Sequence, residues 1–334
     1  MKQITLSLLT IFTLAFNTKA QDLETILLAG KEDGEKLMTA YTQPVLKGLV
    51  YSMNNGWYHT AKVHKKFGFD ITIAANASFV PSKEKMFNIT ELGLNSIKPT
   101  NGVTTSPTIA AEENITSPTL TFTGQVDGQN VSTDIEMPQG ESINIIPAPA
   151  VQVGIGLPYK LEAMLRFVPK VGSDNVKGSL FGIGLKKEIT DWFGPMDKTP
   201  LHISLLAAYT NMNVDYAIGT VTGDVTTNNG AAEFKLNSYT VQAIASLNLP
   251  VINFYGGIGY NGGNSTLNML GDYTLSYDTG GSINLSNPLS LKSTTGSVNA
   301  TIGARLSLGF FKLFGSYTLQ DYGNVNAGIA FSFR

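Results

Sequence analysis

The sequence predicts an all-β membrane protein, a closed antiparallel transmembrane β-barrel of ten strands with a short helical segment ahead of it. Three observations carry that prediction. From Val298 to Phe310 every second residue is apolar, and the pattern resumes at Leu313–Leu319 and Val325–Phe333. Asn299, Thr301, Arg305, Ser316 and Asn326 stand between them, and a period of two over such lengths means strands with one apolar and one polar face. Charged residues make up only 14% of the chain against 43% hydrophobic, with 34 glycines; a soluble surface needs about 25% charge, and a surface facing lipid does not. Finally, the connections alternate between tight and long, as they do in outer-membrane barrels with short periplasmic turns and longer external loops.

The first twenty residues read as an address. Lys2 supplies a positive start, Ile4 to Phe16 an apolar core, and Thr18-Lys19-Ala20 a cleavage site before Gln21. This is the pattern of a cleaved secretory signal peptide exported through the Sec pathway, and the apolar run is too short to span a bilayer. The absence of Cys excludes a disulfide framework, a thiolate metal site and a lipoprotein anchor, and the net charge of −2 argues against nucleic acid as a partner.

Residues 21–61 do not alternate. Leu37, Tyr41, Val45 and Leu49 follow helical spacing, broken by Pro44 and Gly48, and Trp57 follows. Two or three short helices are expected, plugging the periplasmic mouth of the barrel or packing beneath it. Lys62, His64, Lys65 and Lys66 read as interfacial charges rather than a nucleic-acid or metal site. The barrel then occupies 62–334. Phe67 to Val80 is its clearest strand, with Phe69, Ile71 and Ile73 outward and Asp70, Thr72 and Asn76 inward. Residues 81–141 break the rhythm, with a helical turn expected at Ile89–Leu94 and a hairpin around Val126-Asp127-Gly128. The strands resume at Ser142, turn at Leu157-Pro158-Tyr159, and continue through Phe167, Phe181–Leu185 and Leu201–Tyr209. Trp192 and Phe193 suit a turn at the membrane interface.

Asn237 to Gly271 holds no charge and invites reading as a membrane helix, but Pro250, the glycines Gly256, Gly257, Gly259, Gly262 and Gly263 and scattered Asn residues oppose this. As a hairpin it is unobjectionable. Residues 217–232 and 263–295 read as polar external loops beside 81–141. The count is ten strands, or twelve if a hairpin inside 81–141 or 263–295 joins the wall.

Ile146-Pro147-Ala148-Pro149-Ala150-Val151-Gln152-Val153-Gly154-Ile155-Gly156-Leu157-Pro158, Leu165-Arg166-Phe167-Val168-Pro169 and Gly56-Trp57-Tyr58 resemble an uncharacterised family of Bacteroidota outer-membrane barrel proteins. That resemblance implies an outer-membrane barrel and no established activity. Helices ahead of a barrel are also similar, by analogy of layout only, to the hatch of long-chain fatty-acid transporters of the outer membrane.

For chemistry, His202 and Ser204 share an inward face, but two residues along a strand is about 6.7 Å, long for a nucleophile and its base. No phosphate loop, metal-ligand spacing or cofactor motif stands out, and the sequence is read as non-enzymatic. The charges Asp70, Glu162, Arg166 and Arg305 should point into the lumen, as an internal salt-bridge network or a constriction that selects solutes. The expected function is passage of small or hydrophobic solutes. A surface or envelope protein binding a partner through its external loops is the alternative, with a barrel-type membrane enzyme third. Outer-membrane lipid and, at the C-terminal strand Val325 to Phe333, the barrel-assembly machinery are the expected partners.

Overall fold

A computed structural model describes residues 25–333 except 127, 174, 222 and 278–280, so the stretch expected to be a signal peptide lies outside the described residues. Among the described residues, ten strands close a ring: β1 (Phe69–Phe79), β2 (Ile145–Leu157), β3 (Leu161–Gly172), β4 (Val176–Glu188), β5 (Leu201–Val221), β6 (Val225–Asn248), β7 (Ile252–Ser276), β8 (Leu289–Leu308), β9 (Phe311–Leu319) and β10 (Asn324–Phe333). Every neighbouring pair is antiparallel. Closure is made by β1, whose Phe69 is register partner to Ile155 on one side and Phe333 on the other. A closed ring leaves no backbone donor or acceptor facing hydrocarbon. The hairpin expected around Gly128 forms between Thr119–Val126 and Gln129–Glu136, but it pairs with Ile97–Pro99 in a separate small sheet and does not join the wall.

The tight turns at 157–161, 248–252 and 308–311 all lie at one end, together with both ends of the barrel sequence; the loops 80–144, 221–225 and 276–289 lie at the other. The apolar parity residues, among them Ile71, Val153, Val241 and Ile302, are exposed on the outer face as the alternation requires. Tyr209, Tyr239, Tyr260 and Tyr317 ring the wall toward the loop end, and Phe69, Phe254, Phe310 and Phe333 toward the turn end, which marks the two interfaces of the bilayer.

Residues 217–232 and 263–295 are mostly not loops. Strands β5 to β8 run 20 to 25 residues and carry the wall well past the bilayer. The reason they escape a reading of hydrophobic alternation is a reversal of polarity at constant parity. On β6, Thr240, Gln242 and Ser246 face in and Tyr239 and Val241 face out; beyond Asn237 the same inward parity carries Phe234 and Leu236, while Glu233 and Lys235 face out. Outside the membrane the outer face meets water, so the apolar residues turn to the interior. There Tyr273, Leu275, Leu289 and Leu291 pack with Ile89, Ile97, Leu120, Ile135 and the short helical turn Thr25–Ala29 into one apolar cluster. This is an external lobe with its own core, continuous with the barrel.

The N-terminal segment holds the short helical turn Thr25–Ala29 and then, in place of the further short helices expected, a single long α-helix, α1 (Lys31–Asn54). Pro44 sits inside it, and Gly48 lies where a Cβ would come 2.5 Å from Ile146 of β2. Gly48, read as a helix breaker, is instead what allows the helix to approach the wall. At 24 residues the helix is about 36 Å long, and it lies within the ring.

Candidate functional site

The lumen is filled by residues 31–66, and the order of their contacts gives the direction of threading. The first turn of α1 is at the loop end, where the Asp33 carboxylate accepts from the backbone amides of Asn95 and Ser96 and Lys36 donates to the Gly93 carbonyl. Lower down, Ser52 donates to Ser78 Oγ (2.8 Å) and Asn54 to the Gly262 carbonyl. Trp57 then lies against Gly182 and Gly184, Thr60 reaches Ser246, and His64 reaches Glu162 at the turn end. The chain therefore descends from the loop end to the turn end. It then reverses through Lys65–Gly68, with Phe67 at φ 63°, into β1.

Of the plug residues picked from sequence, Leu37 is buried in the external cluster. Tyr41, Val45 and Leu49 pack against Met212, Val214, Phe234 and Leu236 on the wall, and Trp57 packs with Met164, Leu206 and Ile244.

Three polar clamps hold the plug. At the outer rim, Lys47 pairs with Glu84 at 3.0 Å, and Tyr322 donates to Glu84 at 2.8 Å. Burial, with the Glu84 charge beside it, pushes the Tyr322 phenol up, which keeps it a donor. In mid-lumen, Arg166 is 1% exposed. It donates to Gln152 Oε1 (3.1 Å) and to the Met53 and Asn55 carbonyls (both 3.0 Å), and stacks 3.8 Å from the Trp57 ring centre. Two of those acceptors are at the C-terminal end of α1, where carbonyls lack intrahelical donors and the helix dipole favours a cation.

At the turn end all three histidines of the protein meet buried carboxylates. His59 lies between Asp70 (3.2 Å) and Arg305 (2.9 Å), stacked on Phe314. Since Arg305 can only donate, His59 Nδ1 accepts and Nε2–H donates to Asp70. Glu162 takes Lys186 (2.9 Å), His64 Nδ1 (2.9 Å) and the His64 amide (3.0 Å). Glu188 takes His202 (2.7 Å) and the Val63 amide (3.1 Å).

The four charges chosen from sequence thus face inward but do not form one network. Asp70 and Arg305 are joined through His59, Glu162 belongs to a second cluster, and Arg166 holds backbone carbonyls and an aromatic ring. His202 and Ser204 are not partners, because Ser204 donates to the Ala61 carbonyl. His64, expected among interfacial charges, turns inward, while Lys65 and Lys66 stay exposed. Lys186 was legible by parity, one residue beyond outward Leu185. His59 lies outside any periodic stretch, and nothing in the sequence marks its partners.

Not every inward polar group of the wall finds a partner. Asn253, Asn261, Asn299, Asn324 and Asn326, on β7, β8 and β10, are buried and each keeps at least one amide atom without a protein partner; Asn299 keeps both.

A ring of ten strands with lipid-facing apolar parity, two aromatic girdles and a lumen occupied by the chain's own N-terminal segment defines an outer-membrane β-barrel protein. The chain belongs to a family of unknown function (DUF6588), whose model matches residues 1–333. No curated protein matches it. Among solved structures it is similar to the attachment invasion locus protein Ail of Yersinia pestis (9% identity, 80% of this chain and 100% of that one, TM-score 0.27). It is also similar to the outer-membrane protease OmpT of Escherichia coli (10%, 81% and 99%, TM-score 0.29) and to the translocator domain of the autotransporter NalP of Neisseria meningitidis (11%, 81% and 89%, TM-score 0.29). At such identities the likeness concerns fold alone. One correction follows. The sequence was read as non-enzymatic for want of a motif, and a protease among the similar barrels overturns that exclusion. A barrel of this kind can assemble catalytic groups from separate strands, which no linear motif reports.

Proposed function

We propose that this protein is a gated outer-membrane channel for small or hydrophobic solutes, closed by its own residues 31–66. The observation that carries the reading is the set of buried polar atoms in the lumen that lack a protein partner. A permanent core satisfies its buried polar groups. Here the inward amides of Asn253, Asn261, Asn299, Asn324 and Asn326 keep atoms that find no protein partner, as do the hydroxyls of Thr72, Thr210 and Ser238. Such groups are costly when dry and suit a hydrated path between plug and wall. Export through the Sec pathway, a Bacteroidota source and recognition of Val325–Phe333 by the barrel-assembly machinery belong to the same reading.

The test is conductance in planar bilayers of the full chain and of a chain lacking residues 31–54. Larger or more frequent openings in the shortened chain, with heat-modifiable migration retained in detergent gels, support the gate. Equal conductance in both refutes it.

A further inference from the structure

The turn-end cluster contains more than a clamp. His64 Nε2 lies 3.1 Å from Ser332 Oγ, and His64 Nδ1 lies 2.9 Å from Glu162 Oε2. Glu162 faces Lys186 through its other oxygen and so acts as an ionised, acceptor-only group. His64 therefore carries its proton on Nδ1, donates it to Glu162, and presents a bare Nε2 to the Ser332 hydroxyl. The one other carboxylate near that nitrogen, Asp70, is 3.8 Å away, beyond hydrogen-bond reach, and is occupied by His59 Nε2 and the Gly154 amide. Nucleophile, base and orienting acid stand in the correct order, each within bonding distance, on three segments: β10, the segment leading into β1, and β3. The orienting acid is almost fully buried, while His64 and Ser332 are partly open. Phe67, three residues after the base, holds a left-handed backbone, a strain that an aromatic residue adopts rarely.

We infer that Ser332, His64 and Glu162 form a hydrolytic triad that cleaves carboxylic esters of anionic amphiphiles at the turn-end rim of the barrel. The substrate class follows from the surroundings. Phe331 and Phe333 stack with Phe310, and Phe69 with Phe333, on the outward face around the end of β10, and Phe67 and Phe310 are among the most exposed aromatics of the chain; Ser332 points inward between Phe331 and Phe333, so an acyl chain lying on these rings brings its ester to the serine over the rim of the barrel. Exposed Lys65 and Lys66 next to His64 suit an anionic headgroup.

In the reaction, Ser332 Oγ attacks the ester carbonyl carbon and its proton passes to His64 Nε2. The tetrahedral adduct collapses, the carbon–oxygen bond to the alcohol breaks, and that alcohol leaves with the proton from Nε2. Water then attacks the acylated serine, giving one proton through His64 back to Ser332 and releasing the carboxylic acid. Lys312, register partner of Ala330 on the same inward face as Ser332, and Arg305, whose Nε has no protein acceptor, are the cations available to oppose charge on the oxyanion.

The experiment is labelling of the purified, detergent-folded full chain with a fluorophosphonate probe, read by peptide mass spectrometry, beside hydrolysis of p-nitrophenyl butyrate. The expected result is one adduct, on Ser332, and ester hydrolysis that S332A abolishes. H64Q and E162Q should lower the labelling rate about 10²-fold or more. Those two substitutions also touch the plug, so S332A, which removes one hydroxyl and leaves every clamp bond of His64 to Glu162 in place, keeps the test decisive; heat-modifiable migration reports folding throughout. A folded wild-type chain with no adduct at Ser332, or a labelling rate unchanged in H64Q, overturns the inference. A chain that opens on plug removal yet carries no adduct also overturns it and leaves the gate standing. One that labels Ser332 and never conducts upholds it without the gate.

Discussion

Arg166→Met separates the plug from the barrel. The guanidinium donates to the carbonyls of Met53 and Asn55 and lies against Trp57, and among the described residues no carboxylate pairs with it. Met fills a similar volume but donates nothing. Each buried carbonyl left without a donor costs about 1–3 kcal/mol, and the lost stacking of a desolvated cation about 2 kcal/mol. Against these stands relief from burying an unpaired charge, a cost of several kcal/mol after relaxation. A net loss of about 3 kcal/mol at the anchor is expected, a factor of about 10² in the plug's open population. The assay uses the absence of native cysteine. A single Cys at Thr60, a buried position beside Ser246, reacts with a membrane-impermeant maleimide only when that stretch leaves the wall. Adding Arg166→Met should raise the labelling rate about 10²-fold, while heat-modifiable migration persists, because the strands are held by backbone ladders that the substitution does not touch. An unchanged labelling rate, or a barrel that no longer inserts, would refute the reasoning.

Three further outcomes are expected. A Thr60→Cys, Ser246→Cys pair, built where the two hydroxyls lie 3.1 Å apart, should form a disulfide that closes the channel and release it on reduction, measured as bilayer conductance. Ile302→Arg should lower folded yield in lipid vesicles well below Thr301→Arg: Ile302 is 73% exposed on the lipid face, where Arg costs about 2–4 kcal/mol at the bilayer midplane, whereas Thr301 bonds Thr318 inside the ring. Gly156→Ala should impair folding by about 1–3 kcal/mol, seen as a smaller heat-modifiable fraction, since a Cβ there runs into the His64 and Lys65 carbonyl oxygens that turn the chain into β1.

The bilayer-spanning wall was legible because hydrocarbon demands apolar side chains at one parity, so Phe69–Phe79 or Val325–Phe333 announce both strand and face. The same rule hid the upper halves of β5 to β8. Once Glu233 and Lys235 could face water, the apolar residues moved to the inner parity at Phe234 and Leu236, and the stretch looked like loop. Leu37, Tyr41, Val45, Leu49 and Trp57 were recognisable as a packed segment from their spacing. Their depth in the lumen was not, because a helix facing a barrel wall and one docked beneath it present the same stripe. The turn-end pairs were illegible for a different reason. His64, Glu162 and Ser332 are separated by 98 and 170 positions, and only closure of the ring brings them together.

The direction of threading limits how such a plug could open. Its outer end is fixed in the external lobe: Ile26, Leu27 and Leu37 are wholly buried there, and Asp33 and Lys36 tie α1 to Gly93, Asn95 and Ser96. Its inner end is covalently continuous with β1. Expulsion to the turn side would drag an apolar cluster through a polar lumen, and expulsion to the loop side would pull β1 out of the ring; each costs far more than the few kcal/mol available to a gate. Between those anchors, residues 55–64 carry no regular secondary structure. Hydrogen bonds to Arg166, Gln242, Ser246, Asp70 and Glu162 do much of their anchoring. Water can replace such bonds at small net cost, whereas it cannot replace the apolar packing above. Opening is therefore a local remodelling of residues 55–64 against the asparagine-rich wall, with α1 staying in the upper lumen, and Arg166, which holds the junction between the two, sets how readily it happens.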